Sequence, residues 1–546
     1  MGTTAVVDGG AGPGRAVTRS RWGSVALSLA VLTLTSRIVG FGRSVVFSKT
    51  VGDTCLGDVY NAANQLPNVL FEIVAGGVLA GVVIPVVARH VHAGRRESAS
   101  RTTSALITWT VLVLTIPALA ALVGAHAYAS VFAAASCRGS GSTLAALVVI
   151  FVPQIWLYGL AVVSAGVLQA HDRFLAAAAA PLASSAVVIG CYLAFATLAG
   201  GGDRSDLRAL PLQALRVLGW GTTAGVLVLA LATLVPLSRL GLRLRPRLRF
   251  AAGDTGVITG IAAAAVVGLI LQQGSQLLII WAAQQTDDPG ALTRITWANA
   301  IYLLPFAVLV APILQLAFPR LSAAAEEGPQ AVSQALAAIT PAVGVLSCLS
   351  AALLAGTAVP VARVFVLGPG SGRAEALAAP IAAFAPAVVG FALLGLASRT
   401  LLAQHLARDS GIATSAGWGT VIVAVLVVVW LVPRAVVLPG LSLAVSAGMI
   451  VGAAVGWRLT GRTVPVAGIR RRPLVVSALA AVPAGGITGA ISRALLDAGI
   501  WASLAGALGC AAICTAIFLT LVWLGDRALL RQVWSLRRRE PEMMQQ

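Results

Sequence analysis

Long apolar stretches recur along the whole chain, and they constrain its fold more than any other feature. A helix needs about 20 apolar residues to cross the hydrocarbon core of a bilayer. Fourteen segments approach or exceed that length. The first six are Ser24–Phe47, Asp58–Val87, Ser104–Tyr128, Leu144–Gln169, Phe174–Leu198 and Val217–Leu237. The next six are Gly256–Ala283, Thr296–Phe318, Val332–Val359, Leu377–Leu401, Ile412–Val432 and Leu441–Trp457. Val475–Ile491 and Trp501–Leu524 complete the set. The division between the eleventh and twelfth rests on Pro433, Arg434, Pro439 and Gly440. Only 10% of the residues are charged, against about 25% in soluble domains. The fold class is therefore an all-α polytopic membrane protein, with about 14 transmembrane helices.

The formal net charge is +19, from 38 Lys and Arg against 19 Asp and Glu. Such a balance suits nucleic acid as well as membrane orientation. With the N-terminus in the cytoplasm, 26 of the 38 cations fall on that side and ten on the other, with Arg37 and Arg43 inside the first span. That is the positive-inside bias, and one span more or fewer would reverse every later loop. Both termini are read as cytoplasmic. The layout is a flexible N-terminus (1–21), an N-lobe (22–237), a basic cytoplasmic linker (238–252), a C-lobe (253–457), two further helices (458–525) and a cytoplasmic tail (526–546). The first span is too long for a signal-peptide core and reads as an uncleaved anchor. In the linker, Arg239–Arg249 alternates Arg with Leu and Pro. It fits an interfacial segment drawn to anionic lipid; no soluble domain presents it to nucleic acid.

The two lobes carry traces of a repeat. Leu66-Pro67 and Leu304-Pro305 lie 238 residues apart, and Arg173 and Arg408, each closing a Gln- and His-containing segment end, lie 235 apart. Both pairs are six spans apart, which gives two parallel six-helix halves, as in two-lobed transporters with a site between the lobes.

Charged groups inside spans cost about 2.5–3.5 kcal/mol each on insertion scales and usually face a cavity. Arg37 and Arg43 point about 120° apart on a straight helix; Gly40 and Gly42 would permit a bend that brings them together. In the second span, Asp58, Asn61, Gln65, Asn68 and Glu72 recur at spacings of 3, 4, 3 and 4. At 100° per residue they occupy an arc of about 80°. Such a stripe must line water, a ligand or another polar helix. Gln272, Gln273, Ser275 and Gln276 in the seventh span, and Asn299 and Tyr302 in the eighth, either line the same cavity or hydrogen-bond between packed helices.

No Walker A loop, Gly-x-Ser-x-Gly elbow or His-Glu-x-x-His site is present, and the five His form no ligand set. The chain is read as a non-enzyme without cofactor or metal. Cys510 and Cys514 share a helix face and read as packing residues. Cys55 and Cys137 both fall in outer loops, where a disulfide is available; separate thiols are the favoured reading.

Ser36-Arg37-Ile38-Val39-Gly40-Phe41-Gly42-Arg43 resembles the first-helix motif of the MurJ/MviN family, the lipid II flippases. Asp58 through Leu66-Pro67-Asn68, then Gly76-Gly77-Val78 to Pro85, resembles its second-helix signature, in the variant of its actinobacterial branch. Gly166–His171 and Phe318–Ser322 are also similar. The resemblance implies a V-shaped, two-lobed fold of the multidrug/oligosaccharidyl-lipid/polysaccharide exporter superfamily in a bacterial plasma membrane. It implies movement of undecaprenyl-pyrophosphate-linked peptidoglycan precursor from inner to outer leaflet by alternating access, with cell-wall synthesis proteins as candidate partners. Helices one, two, seven and eight would line a cationic cavity, and the last two would form a groove for the lipid tail. Arg37, Arg43 and Asp58 match family residues needed for function; forked guanidinium donors suit a pyrophosphate. Where many members carry an arginine pair in helix two, this chain has Phe71-Glu72; where they carry Asp-Arg in helix eight, it has Asn299-Ala300. Export of another polyprenyl-linked glycan or a small molecule, and a transport-inactive cell-wall scaffold, are the alternatives those departures leave open. The cytoplasmic kinase-like extension of some actinobacterial relatives is not expected in the short stretch after Leu524.

Overall fold

In lipid every backbone N–H and C=O must find its partner within the chain, which leaves helices as the fold for apolar spans of this length. The computed structural model describes residues 31–32, 35–72, 80–201, 204–250, 255–370, 372–465 and 472–527. Among them the fold is helical throughout, with one isolated backbone bridge between Asp53 and Gly370. The N-terminal stretch 1–21, most of the tail and the end of the linker lie outside the described residues.

The first half comprises α1 (35–50), α2 (Cys55–Phe71), α3 (Ala80–His92), α4 (Arg96–Val123), α5 (Ala125–Phe132), α6 (Ser140–Ala170), α7 (Phe174–Ala199) and α8 (Leu212–Ser238). The second comprises α9 (Thr255–Gln284), α10 (Ala291–Pro305), α11 (Ala311–Glu327), α12 (Pro329–Gly356), α13 (Ala358–Val366), α14 (Ala374–Ala383), α15 (Ala385–Ala403), α16 (Ala407–Leu431) and α17 (Val437–Thr463). The last pair, α18 (Arg472–Ser492) and α19 (Ile500–Gly525), packs on α12. Among the described residues, eleven segments are long and apolar enough to cross a membrane. They coincide with the third to sixth and the eighth to fourteenth predicted spans. The first, second and seventh extend into, or begin beside, residues outside those described.

The eighth span shows how a proline is absorbed. Pro305 has no N–H to give the preceding turn, and the chain passes through a π turn, Phe306–Val310, before resuming as α11. The predicted break between the eleventh and twelfth spans is present. Val432 is extended, Arg434–Val436 makes one 3-10 turn, and α17 follows. α16 and α17 then pack along each other, with Gly417 set against Gly448 and Gly452. Cys510 and Cys514 are buried, and Cys514 packs with Val345, Cys348, Ala352, Phe518 and Val522.

The repeat is visible in the backbone. Asp172 (φ 57°) and His405 (φ 61°) are the two non-glycine residues with left-handed backbone among those described. The Arg173 N–H donates to Leu168 O and the Leu406 N–H to Leu401 O, both at 2.8 Å. α6 and α15 thus end in the same motif. These positions are 233 apart, two fewer than the arginine pair suggests. At the other end, Gly52 (φ 77°) and Gly290 (φ 84°) are separated by the same 238 positions as the two prolines.

Candidate functional site

A cavity of about 240 Å³ lies between the two halves of the sequence. α1 contributes Arg43 and Ser44, α2 contributes Asn61, Asn64, Gln65 and Asn68, and α10 contributes Thr296, Trp297 and Ala300. Spacings of 3 and 4 keep the amides on one face of α2. Phe47, Tyr60, Tyr192 and Trp297 form an aromatic wall. The Tyr60 hydroxyl pairs with that of Tyr192 at 2.8 Å and with Thr222 Oγ1 at 2.9 Å, which braces the wall from α7 and α8. Asn68 Nδ2 donates to Asn64 O at 2.9 Å, and Asn64 Oδ1 is buried with no partner among the described residues. The surface therefore offers one half-buried guanidinium, several amides and aromatic faces.

The stripe on α2 has a second role at its start. Asp58 is 1% exposed and does not line the cavity. Gly290 precedes α10 without a side-chain cap of its own, so the first N–H groups of α10 need an acceptor. Asp58 Oδ2 accepts from the Gly290 N–H, and Asp58 Oδ1 from the Thr293 N–H and hydroxyl, each at 2.8 Å. A carboxylate on one helix thus caps another, where the helix dipole favours negative charge. One turn further on, Asn61 Nδ2 donates to Thr293 Oγ1 at 3.1 Å.

An ion-pair chain continues this junction. Arg294 is fully buried; it reaches Asp53 Oδ2 at 2.8 Å and Asp288 at 2.5 Å, and Arg373 holds the other Asp288 oxygen at 2.7 Å. Lys49 Nζ donates to Val364 O at 2.6 Å. The turn between α1 and α2 therefore sits between the α9–α10 and α13–α14 loops. Close approach demands glycine: a Cβ on Gly52 would lie 1.7 Å from Pro369 O, and one on Gly290 2.1 Å from Asp53 O. Both glycines also have the positive φ that other residues avoid.

The predicted site residues separate on this framework. Arg43, Asn61, Gln65 and Asn68 share the cavity. Asp58 belongs to the junction. α1 is uninterrupted at Gly40 and Gly42, and Arg37 is exposed. Glu72 is exposed at the end of α2; Gln272 and Gln276 are half-buried on α9, and Asn299 on α10. Among the described residues, none of these five lines the cavity. Sequence reading passed over Asn64, the aromatic wall and the Asp53–Arg294 pair. The signals for them were the i+3 position of Asn64 from Asn61 and the presence of tyrosines inside apolar spans. Arg294, read as an outer-loop cation, is buried instead because it meets Asp288 of the α9–α10 loop and Asp53 of the α1–α2 turn.

One expectation is corrected. Cys55 and Cys137 form a disulfide, with a Cα–Cα distance of 5.7 Å across 82 residues of sequence. Cys55 is the first residue of α2, three before Asp58, so the bond ties the start of α2 to the loop before α6. Both residues are buried in the same hydrophobic cluster, and their separation is within bonding reach.

Comparisons with known proteins bear on this arrangement. A probable lipid II flippase MurJ of Rhizobium tropici is 26% identical over 307 residues, covering 54% of this chain and 54% of that protein. The one from Rhizobium meliloti is 28% identical over 305 residues, with the same coverage. The chain thus spans about half the length of these curated relatives. A solved structure described as lipid II flippase MurJ in an inward closed conformation has a TM-score of 0.71 at 15% identity, covering 92% of this chain and 99% of that one. An inward-facing multidrug resistance MATE family transporter of the MOP superfamily has a TM-score of 0.63 at 14% identity, covering 81% of this chain and 98% of that one. At such identities the likeness concerns the fold. The family model for lipid II flippase MurJ matches residues 47–518, from the cavity wall at Phe47 to the buried Phe518 of α19. With that match over most of the chain, this multi-pass membrane protein belongs to the lipid II flippase MurJ family.

Proposed function

We propose that this protein moves lipid II, the undecaprenyl-pyrophosphate-linked peptidoglycan precursor, from the cytoplasmic to the outer leaflet by alternating access. The observation that carries this reading is the Arg43 guanidinium, held among amides in a cavity between the two sequence halves and beside a sealed junction. Both termini are cytoplasmic on the positive-inside bias, which makes the Asp53–Arg294 junction the outer closure. The lobes are 22–237 and 253–457, with 458–525 as an accessory helix pair. Arg43 takes the pyrophosphate, because a cation in a low-dielectric site is the partner such a group needs. Asn61, Asn64, Gln65 and Asn68 suit the hydroxyl and amide groups of a sugar–peptide head. Asp58 acts through the closure and does not touch substrate.

At about 240 Å³ the cavity is smaller than the 300–1,000 Å³ typical of ligand sites. The helices around it must separate to admit a headgroup. In proteoliposomes loaded with lipid II on one leaflet, the wild type makes the lipid accessible on the other. Arg43→Ala removes that activity, and Arg43→Lys retains part of it. Full activity of Arg43→Ala, with equal insertion, would remove the site assignment.

A further inference from the structure

The basic linker is built onto the protein, which its sequence alone does not reveal. After α8 the chain runs extended along α4. Ser100 Oγ donates to Arg243 O at 2.7 Å, the Arg245 N–H donates to Ser104 Oγ at 3.2 Å, and the Arg247 N–H to Thr108 Oγ1 at 3.1 Å. Trp109 Nε1 closes the series on Leu248 O at 2.9 Å. Every second linker residue meets every fourth helix residue. The match is physical: two extended residues advance about 6.6 Å, and four helical residues about 6 Å. Pro246, which lacks an N–H, falls at an alternate position that needs none.

Alternation then sorts the side chains, because successive residues of an extended segment face opposite ways. Arg243, Arg245, Arg247 and Arg249 occupy alternate positions and are exposed, and Leu244 and Leu248 between them are exposed as well. None of the four guanidinium groups has an ion pair or hydrogen bond among the described residues. Phe250 anchors the far end against Val86 of α3. The strap climbs from Ser100 to Trp109, across the level at which the third predicted span begins. A row of four exposed cations, with exposed Leu244, Leu248 and Trp109 beside it, is therefore fixed to α4; such a mixture of basic, aromatic and apolar groups suits a headgroup boundary.

We propose that this strap is a binding site for anionic phospholipid headgroups, separate from the transport cavity. It rests on the proposed orientation in assigning the row to the cytoplasmic leaflet; the binding itself does not depend on transport. The test uses the full chain in nanodiscs, which expose both faces, made of phosphatidylcholine with or without phosphatidylglycerol. Native mass spectrometry counts the retained phosphatidylglycerol. An arginine near an anionic surface contributes roughly fivefold in affinity. Replacing all four (Arg243→Gln, Arg245→Gln, Arg247→Gln, Arg249→Gln) lowers phosphatidylglycerol retention at least tenfold and leaves phosphatidylcholine unchanged. A second variant (Ser100→Ala, Ser104→Ala, Thr108→Val) keeps every charge but removes the ladder, and lowers retention about threefold. Unchanged retention in the four-Gln variant overturns the site. Unchanged retention in the ladder variant overturns the claim that it is held in place. Inorganic pyrophosphate displacing the lipid at equal concentration would reassign the row to a soluble anion. A four-Gln variant that loses lipid but still flips lipid II leaves the transport reading intact.

Discussion

Asp58→Ala probes directly the α2–α10 junction that closes one end of the cavity in the proposed cycle. The carboxylate accepts three hydrogen bonds from Gly290 and Thr293, each at 2.8 Å, in a fully buried position. Hydrogen bonds to a charged group contribute about 1.5–3 kcal/mol each. When the closure opens, water replaces part of this, so a net contribution of about 3 kcal/mol is the reasonable share of the three together. At 1.4 kcal/mol per decade, the ratio of closed to open should fall roughly 100-fold. Asp58→Asn keeps one acceptor oxygen but loses the charge, and should lower the ratio about tenfold. Spin labels on Ser142→Cys and Ala435→Cys, both exposed at this end on opposite halves, report the separation by pulsed electron resonance. The background replaces the free cysteines Cys191, Cys348, Cys510 and Cys514 and keeps the disulfide. Longer distances should be populated in the order wild type, Asn, Ala. Superimposable distributions for all three would refute the capping argument.

Further outcomes follow from the same junction. Gly290→Ala places a methyl 2.1 Å from Asp53 O and imposes an unfavourable φ, so the labelled pair should shift toward open even with Asp58 intact. Arg294→Gln leaves Asp53 buried without its cation, which costs about 3–5 kcal/mol; thermal unfolding in detergent should show a lowered midpoint, and a rise would contradict the pairing. Cys55→Ser with Cys137→Ser releases a loop closed across 82 residues, worth at most about 4.5 kcal/mol by loop entropy. Its midpoint should drop toward that of the reduced wild type, and should no longer respond to reductant.

Eleven of the spans were legible because hydrocarbon thickness sets a length that composition alone satisfies. The break before α17 was legible because Pro433 disfavours a helical residue before it and offers no N–H to the preceding turn; Pro439 and Gly440, read as part of the same break, lie inside the first turn of α17. The amide stripe on α2 was legible through its helical spacing, and Asn61, Gln65 and Asn68 meet in the cavity for that reason. Its division into junction and cavity was not, because Asp58 finds its donors 232 and 235 residues away and no local pattern encodes them. Arg294 illustrates the same limit: only the fold brings Asp53, 241 positions earlier, beside it. On a straight helix Arg37 and Arg43 face about 120° apart; the bend at Gly40 and Gly42 that would bring them together is absent from α1, and Arg43 alone meets the cavity. The alternation of the linker was plain, while its partners Ser100, Ser104 and Thr108 read as ordinary polar residues of a helix start.

The central claim is that this protein carries lipid II across the membrane through the Arg43 cavity. The most direct measurement is the leaflet distribution of lipid II in cells depleted of the protein and re-supplied with wild type or Arg43→Ala. Lipid II should accumulate in the cytoplasmic leaflet on depletion, clear with the wild type and persist with Arg43→Ala. An unchanged distribution on depletion would contradict the account.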